Sequence, residues 1–145
     1  MNREIKFRAW DSLAKEMLKV RGLQFYNVES QSLYRLWLAT FNDETLMEIS
    51  SGFDTYVLMQ YTGLNDKNGK EGFSNDIIKT DDPNEELFKI EWFEHTASWI
   101  LIGLETGKVR WIENREQFRS DFQVNFLTSE IIGNIYQNPE LLNGS

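Results

Sequence analysis

The chain has 145 residues, 0 Cys and a formal net charge of -8 at pH 7. Without thiols, disulfides, thiolate nucleophiles and cysteine-held metals are excluded. The acidic balance disfavours anionic membranes and the broad basic face that duplex DNA requires. Apolar residues make up 41% and aromatic ones 14%, enough for a sizeable core in one domain over 1–145, or in two sublobes at 1–75 and 76–145.

Behind Met1-Asn2-Arg3-Glu4 there is no apolar stretch of the kind a secretory signal carries, and no run is long enough to span a bilayer, so no membrane partner is expected. Glu4 to Trp10 alternates, with Ile5, Phe7 and Ala9 on one face and Lys6, Arg8 and Trp10 on the other, the period of a half-buried strand. Asp11-Ser12 supplies turn chemistry, and Met17 to Val20 returns as the second arm of a hairpin. Gly22 to Ile49 reads as strands, with Asn27 to Ser32 as a polar connection. Thr55 to Thr62 is rich in β-branched and aromatic residues, and Asn68-Gly69 beyond it marks a tight turn.

Asp76 to Lys79 resumes the apolar pattern. The acidic segment Asp81-Asp82-Pro83-Asn84-Glu85-Glu86 reads as a solvated loop with room for one helical turn. A meander follows: Leu87 to Glu94, the nearly continuous apolar run Ser98 to Leu104, a turn at Glu105-Thr106-Gly107, and Lys108 to Ile112 with Val109 and Trp111 sharing a face. One short helix is predicted from Asn114 to Phe122, capped by Asn114 and with Phe118 and Phe122 on its buried side. Glu130 to Tyr136 is the last strand, and Asn138 to Leu142 a closing turn with an apolar anchor. The fold class is mainly β (a β-rich α+β chain). The second half is an antiparallel meander or a small SH3-like barrel, packed with an N-terminal β-rich lobe.

Four stretches resemble the YopX-type phage and prophage proteins. They are Arg3 to Asp11, Leu58 to Glu71 with its Gln60-Tyr61-Thr62-Gly63-Leu64-Asn65-Asp66-Lys67-Asn68-Gly69 centre, Asp76 to Lys79, and Ile132 to Leu141. The likeness runs through nearly the whole chain. It departs where the family carries Gly-Asp before the Ile-Val strand and this chain has Asn75-Asp76; asparagine tolerates positive φ, so the turn is expected to be kept. The resemblance implies a bacterial cytoplasm as the location and self-association into homo-oligomers. It implies no catalytic activity, so it brings no functional residues with it.

His95 is the only histidine, which excludes zinc sites built on two or more histidines. Its position in Glu94-His95-Thr96 suits an exposed loop better than a catalytic base. The acidic segment and Asn65 to Gly69 both lack the alternating carboxylates of an EF-hand. Neither a nucleophile elbow nor a phosphate loop occurs. No cofactor and no catalytic residue is assigned, and the chain reads as a non-enzyme. Lys6, Arg8, Trp10, Lys108 and Arg110 form the one candidate binding face, a nucleic-acid platform if the two strands lie side by side. Trp37, Trp92, Trp99 and Trp111 read as core. The leading functional reading is a phage accessory protein that acts by binding, as a homo-oligomer or on a phage or host protein. The alternative is a nucleic-acid-associated protein in phage replication or regulation, and the third a hydrolase using His95 or a carboxylate pair.

Overall fold

The computed structural model of the chain describes residues 4–28, 31–39, 46–49, 55–113 and 123–143. It is mainly β, as its composition and alternation imply. The chain divides into two compact units, Ile5–Gln60 and a second formed by Tyr61–Ser145 with Met1–Glu4. The predicted helix over 114–122 lies outside the described residues.

The first unit holds β1 (Phe7–Asp11), β2 (Glu16–Val28), β3 (Gln31–Ala39), β4 (Leu46–Ile49) and the start of β5 (Tyr56–Asn65). The strands pair antiparallel in the order β4-β3-β2-β1-β5. The described residues between Gly22 and Ile49 are therefore strand, as the apolar residues suggested, and β2 runs on to Val28, further than the Met17 to Val20 arm. The turn between β1 and β2 is pinned by Asp11, whose Oδ1 accepts from the N–H of Leu13 and of Ala14, both at 3.0 Å. Ala9, Leu18 and Leu38 form this unit's buried core, with Val20, Leu23, Met47, Ile49, Tyr56 and Leu58 packed against it.

The second unit contains the end of β5, β6 (Glu71–Phe73), β7 (Asp76–Lys79), β8 (Phe88–Phe93), β9 (Ser98–Gly103), β10 (Val109–Glu113), β11 (Gln123–Asn125) and β12 (Glu130–Asn134). Six of them form a sheet in the order β11-β10-β9-β8-β7-β12. β7 to β10 are the predicted antiparallel meander. β11 joins it parallel to β10, and β12 antiparallel to β7. Among the described residues this curled sheet runs from the edge strand β11 to the edge strand β12. Ile78, Phe88, Ile90, Leu101, Val124, Phe126 and Ile131 form its buried core, with Leu64, Trp99 and Ile112 packed at the margin. β8 supplies the alternate residues Phe88 and Ile90 to it, and β9 supplies Leu101 with Trp99 at the margin, which is how a sheet buries one face.

Among the described residues, three non-glycine residues in the turns adopt positive φ: Lys15 at 57°, Asn75 at 70° and Ala97 at 49°. Asn75 keeps the turn before β7 as the sequence anticipated. Its N–H donates to Ile90 O at 2.8 Å, and its carbonyl accepts from Ile135 N–H at 3.1 Å. Ala97 closes the β8–β9 hairpin, donating its N–H to Glu94 O at 3.3 Å. A Cβ in the left-handed region costs about 1–2 kcal/mol, and glycine gives part of that back through its larger loss of chain freedom. Ala97→Gly is therefore expected to stabilise the protein by about 0.5–1 kcal/mol. Urea unfolding reads the change directly, and an unchanged or lowered midpoint would contradict it.

Candidate functional site

The predicted cationic face is divided between the two units. Lys6, Arg8 and Trp10 belong to the first, Lys108 and Arg110 to the second. β1 lies between β2 and β5, with Arg8 opposite Lys19 and Met59, and Trp10 opposite Met17 and Val57. Trp10 is 6% exposed and Ala9 is buried on the other side, so the half-buried alternation gives way to a strand covered on both faces. Lys6 is half-buried. The Arg8 guanidinium approaches Met59 Sδ at 3.7 Å.

On β10 the two faces are the reverse of a solvated basic strip. Arg110 stands opposite Leu101 of the core, and Ile112 packs against that core. The Arg110 side chain is only 18% exposed, and its Nε lies 3.7 Å from Glu85 Oε1. The loop after β7 brings that carboxylate. Thr80 Oγ1 donates to Glu85 Oε2 at 3.0 Å, and Asn84 N–H to Asp82 Oδ1 at 2.9 Å. Asp81 to Asn84 are the solvated part of the acidic segment; Glu85 and Glu86 are built into the fold. Glu86 Oε1 accepts from the N–H of Glu105 and Thr106 at 2.8 and 2.9 Å, and its Oε2 takes the Thr106 hydroxyl. Burial raises the Glu86 pKa, but these three donors and the Lys108 ammonium outweigh it and hold the group below the usual carboxylate value. Lys108, the exposed end of the predicted face, thus stands beside a carboxylate.

Because Arg110 and Ile112 turn inward, Val109 and Trp111 turn outward, at 41% and 37% exposed. This corrects the core reading of Trp111. Trp92 is corrected likewise: it is 47% exposed at the end of β8, edge-on to its cross-strand partner Trp99 with ring centroids 5.1 Å apart. Trp99 is half-buried and packs against the core, and Trp37 is half-buried in the first unit. Phe93 adjoins Trp111 at 6.2 Å and His95 at 5.3 Å. His95 itself is exposed in the turn between β8 and β9. Phe93, Val109 and Trp111 thus form an apolar strip on the outer face of the β8–β10 sheet, while Trp92 and Trp99 pair on the core face at its margin. Sequence patterning identified Val109 and Trp111 as one face without saying which face met water; Ile112, two residues beyond the charged Arg110, was the available signal.

A second constellation centres on Asp66, in the loop between β5 and β6. It is 5% exposed. Its Oδ1 accepts from the N–H of Asn68 and of Lys70, each at 2.9 Å, and its Oδ2 from Ile131 N–H at 2.8 Å. Its own N–H donates to Lys70 O at 2.9 Å, and Lys67 N–H reaches Ser129 O at 3.0 Å. One carboxylate therefore shapes the hairpin loop and ties it to the start of β12. Both oxygens face N–H donors, an arrangement for holding backbone and not for ligating a cation. Burial pushes the Asp66 pKa up, but the N–H groups of Ile131, Lys70 and Asn68, with the Lys70 ammonium, outweigh it and hold the group below its ordinary value.

The end of the chain is built the same way. Asn134 Oδ1 accepts from the N–H of Tyr136 and Gln137 at 3.0 and 2.8 Å, and Asn134 N–H donates to Asn138 Oδ1 at 3.2 Å. A Cβ on Gly133 would lie 2.4 Å from that same Asn138 oxygen, so only glycine lets the turn close this tightly. Among the described residues no group of three or more His, Asp or Glu side chains is gathered as a metal site would need, and no helix is long and apolar enough to cross a membrane.

A mainly β chain of two compact units, with a buried aspartate clasping a β-hairpin loop to its last strand, defines the class. The family model for YopX protein matches residues 6–143, and the chain belongs to that family. Among solved structures it is similar to protein EF1440 from Enterococcus faecalis, with 26% identity and a TM-score of 0.56 over 97% of this chain and 99% of that one. No curated protein matches. The Asp66 loop and the Asn134 turn fall in the two segments by which the sequence most resembles the family, so those segments are explained by backbone satisfaction.

Asp66 has a testable signature. A pKa lowered on folding contributes stability that is present above the unfolded value and lost as pH falls through the folded one. At neutral pH, Asp66→Ala is expected to cost about 3 kcal/mol, because it strands buried N–H donors. Below about pH 4, the ordinary aspartate range, the difference between the variant and the wild type should shrink. Urea unfolding at several pH values measures both, and parallel pH profiles for the two proteins would refute the assignment.

Proposed function

We propose that the chain is a non-enzymatic phage or prophage accessory protein that works in the bacterial cytoplasm by binding, as a homo-oligomer. The observation that carries this reading is the apolar strip of Phe93, Val109 and Trp111 on the outer face of the β8–β10 sheet, with Val109 and Trp111 exposed. Monomeric proteins seldom leave such residues clustered in water, and tryptophan is enriched where partners meet. Family membership supports the phage setting. The nucleic-acid alternative draws no support from its own candidate face. Trp10 is too buried to stack on a base, and the Arg110 charge is already faced by Glu85. The hydrolase reading rests on His95 or a carboxylate pair, and His95 neighbours Phe93 in an exposed turn.

Absolute molar mass by light scattering across a concentration series tests the proposal. A stable multiple of 17.1 kDa is expected. Trp111→Asp, placing a charge in the strip, is expected to weaken assembly at least about tenfold, the equivalent of ~1.4 kcal/mol, with an unchanged circular dichroism spectrum. A wild-type monomer at all concentrations would refute the oligomer. Assembly untouched by Trp111→Asp would move the contact off this strip.

A further inference from the structure

We infer that Asn68 is a self-modification site that the Asp66 clasp holds shut, so that loss of its amide marks chains whose hairpin loop has opened. Asn68 is exposed, and Gly69 follows it with φ of 80°. A Cβ built on Gly69 would meet no heavy atom within 4 Å beyond its chain neighbours, so the residue after Asn68 stands in open space. These are the elements of asparagine cyclisation: a carboxamide, and next to it a main-chain nitrogen with no side chain in the way. Gly69 N gives up its proton to solvent base and attacks Asn68 Cγ. Nδ2 leaves as ammonia, and a five-membered imide forms. Water then opens either imide carbonyl, leaving aspartate or isoaspartate at position 68. No oxidant, reductant or cofactor enters.

In the closed loop the nucleophile is engaged. Gly69 N–H donates to Asp66 O at 3.0 Å, Asn68 N–H and Lys70 N–H to Asp66 Oδ1 at 2.9 Å, and Lys70 O accepts from Asp66 N–H at 2.9 Å. Both peptide groups flanking the reacting nitrogen are thereby fixed, and the nitrogen must break its own hydrogen bond before it can attack. The rate is then set by how often the loop opens. The isoaspartate product routes the main chain through the former side chain and lengthens it between Asp66 and Lys70. Gly69 N–H and Lys70 N–H then no longer fall in register with Asp66, and the loop does not close again. Opening is reversible until isoaspartate has formed and permanent afterwards.

The test follows position 68 by peptide mapping and mass spectrometry. The full chain is incubated in mildly alkaline buffer beside a synthetic peptide of residues 64–72. Asn68 in the native chain is expected to react at least about tenfold more slowly than in the peptide, since reaction waits on local opening. Asp66→Asn, kept only if it unfolds cooperatively, should bring the rate towards the peptide's. Low urea on the wild type should raise it in step with hydrogen exchange at Lys70 N–H, which needs no variant to fold. Chains separated with isoaspartate should have lost exchange protection at Ile131 N–H. A peptide-like rate in the native wild type would overturn the proposal. So would a rate indifferent to Asp66→Asn and to urea, or full protection of Ile131 in the modified chains.

Discussion

Ile131 N–H donates to Asp66 Oδ2 across 65 residues of sequence, and much of the second unit is arranged around that bond. The same carboxylate satisfies two donors in its own loop, so the β5–β6 connection and the entry to β12 share one acceptor. A β-sheet protein with short strands leaves many turn N–H groups without a ladder partner, and burying them unpaired is costly. This chain assigns side-chain acceptors to the task. Asp76 Oδ2 takes Phe73 N–H at 2.8 Å, Asn134 takes two donors of the last turn, and Glu86 takes two of the β9–β10 turn. Part of the net charge of -8 therefore serves as internal scaffolding. A charged acceptor makes a stronger bond to a backbone N–H than a neutral one does.

The apolar strip follows from the same arrangement. Glu85 and Glu86 draw the acidic loop over the β9–β10 end, and Glu85 meets the charge of Arg110. With Arg110 compensated there, its strand can direct Ile112 to the core and turn Val109 and Trp111 to water. An uncompensated arginine in that position would carry a large desolvation cost. The internal electrostatics thus decide which face of β10 is available to a partner.

The sequence made the strands of the meander legible because β-branched and aromatic runs ended at turn residues, and β7 to β10 fall within a residue or two of those limits. The tolerance of Asn75 for positive φ was readable too. Hidden were properties set by distant contacts. Alternation divides β1 and β10 into two faces, but cover from elsewhere in the chain, such as the Glu85 loop beside Arg110, decides how much water each face meets. The Asp66 loop was readable as a turn from Asn68-Gly69, while its bond to Ile131 has no local signature. The candidate face was assembled from charge and alternation alone, and both are blind to cover supplied from elsewhere in the chain.

The 65-residue span of the clasp also orders events during synthesis. β1 to β4 are joined by consecutive antiparallel pairings, so the first unit has most of its partners soon after they are made. β7, by contrast, pairs with β12, and Asp66 waits for Ile131. At the usual pace of about 5–20 residues per second, that wait is roughly 3–13 s. Throughout it one side of β7 lacks its eventual neighbour, and the hairpin loop lacks the anchor that β12 supplies. The nascent chain therefore passes through a stage in which a unit with most of its strands paired precedes one that only its final strand can complete.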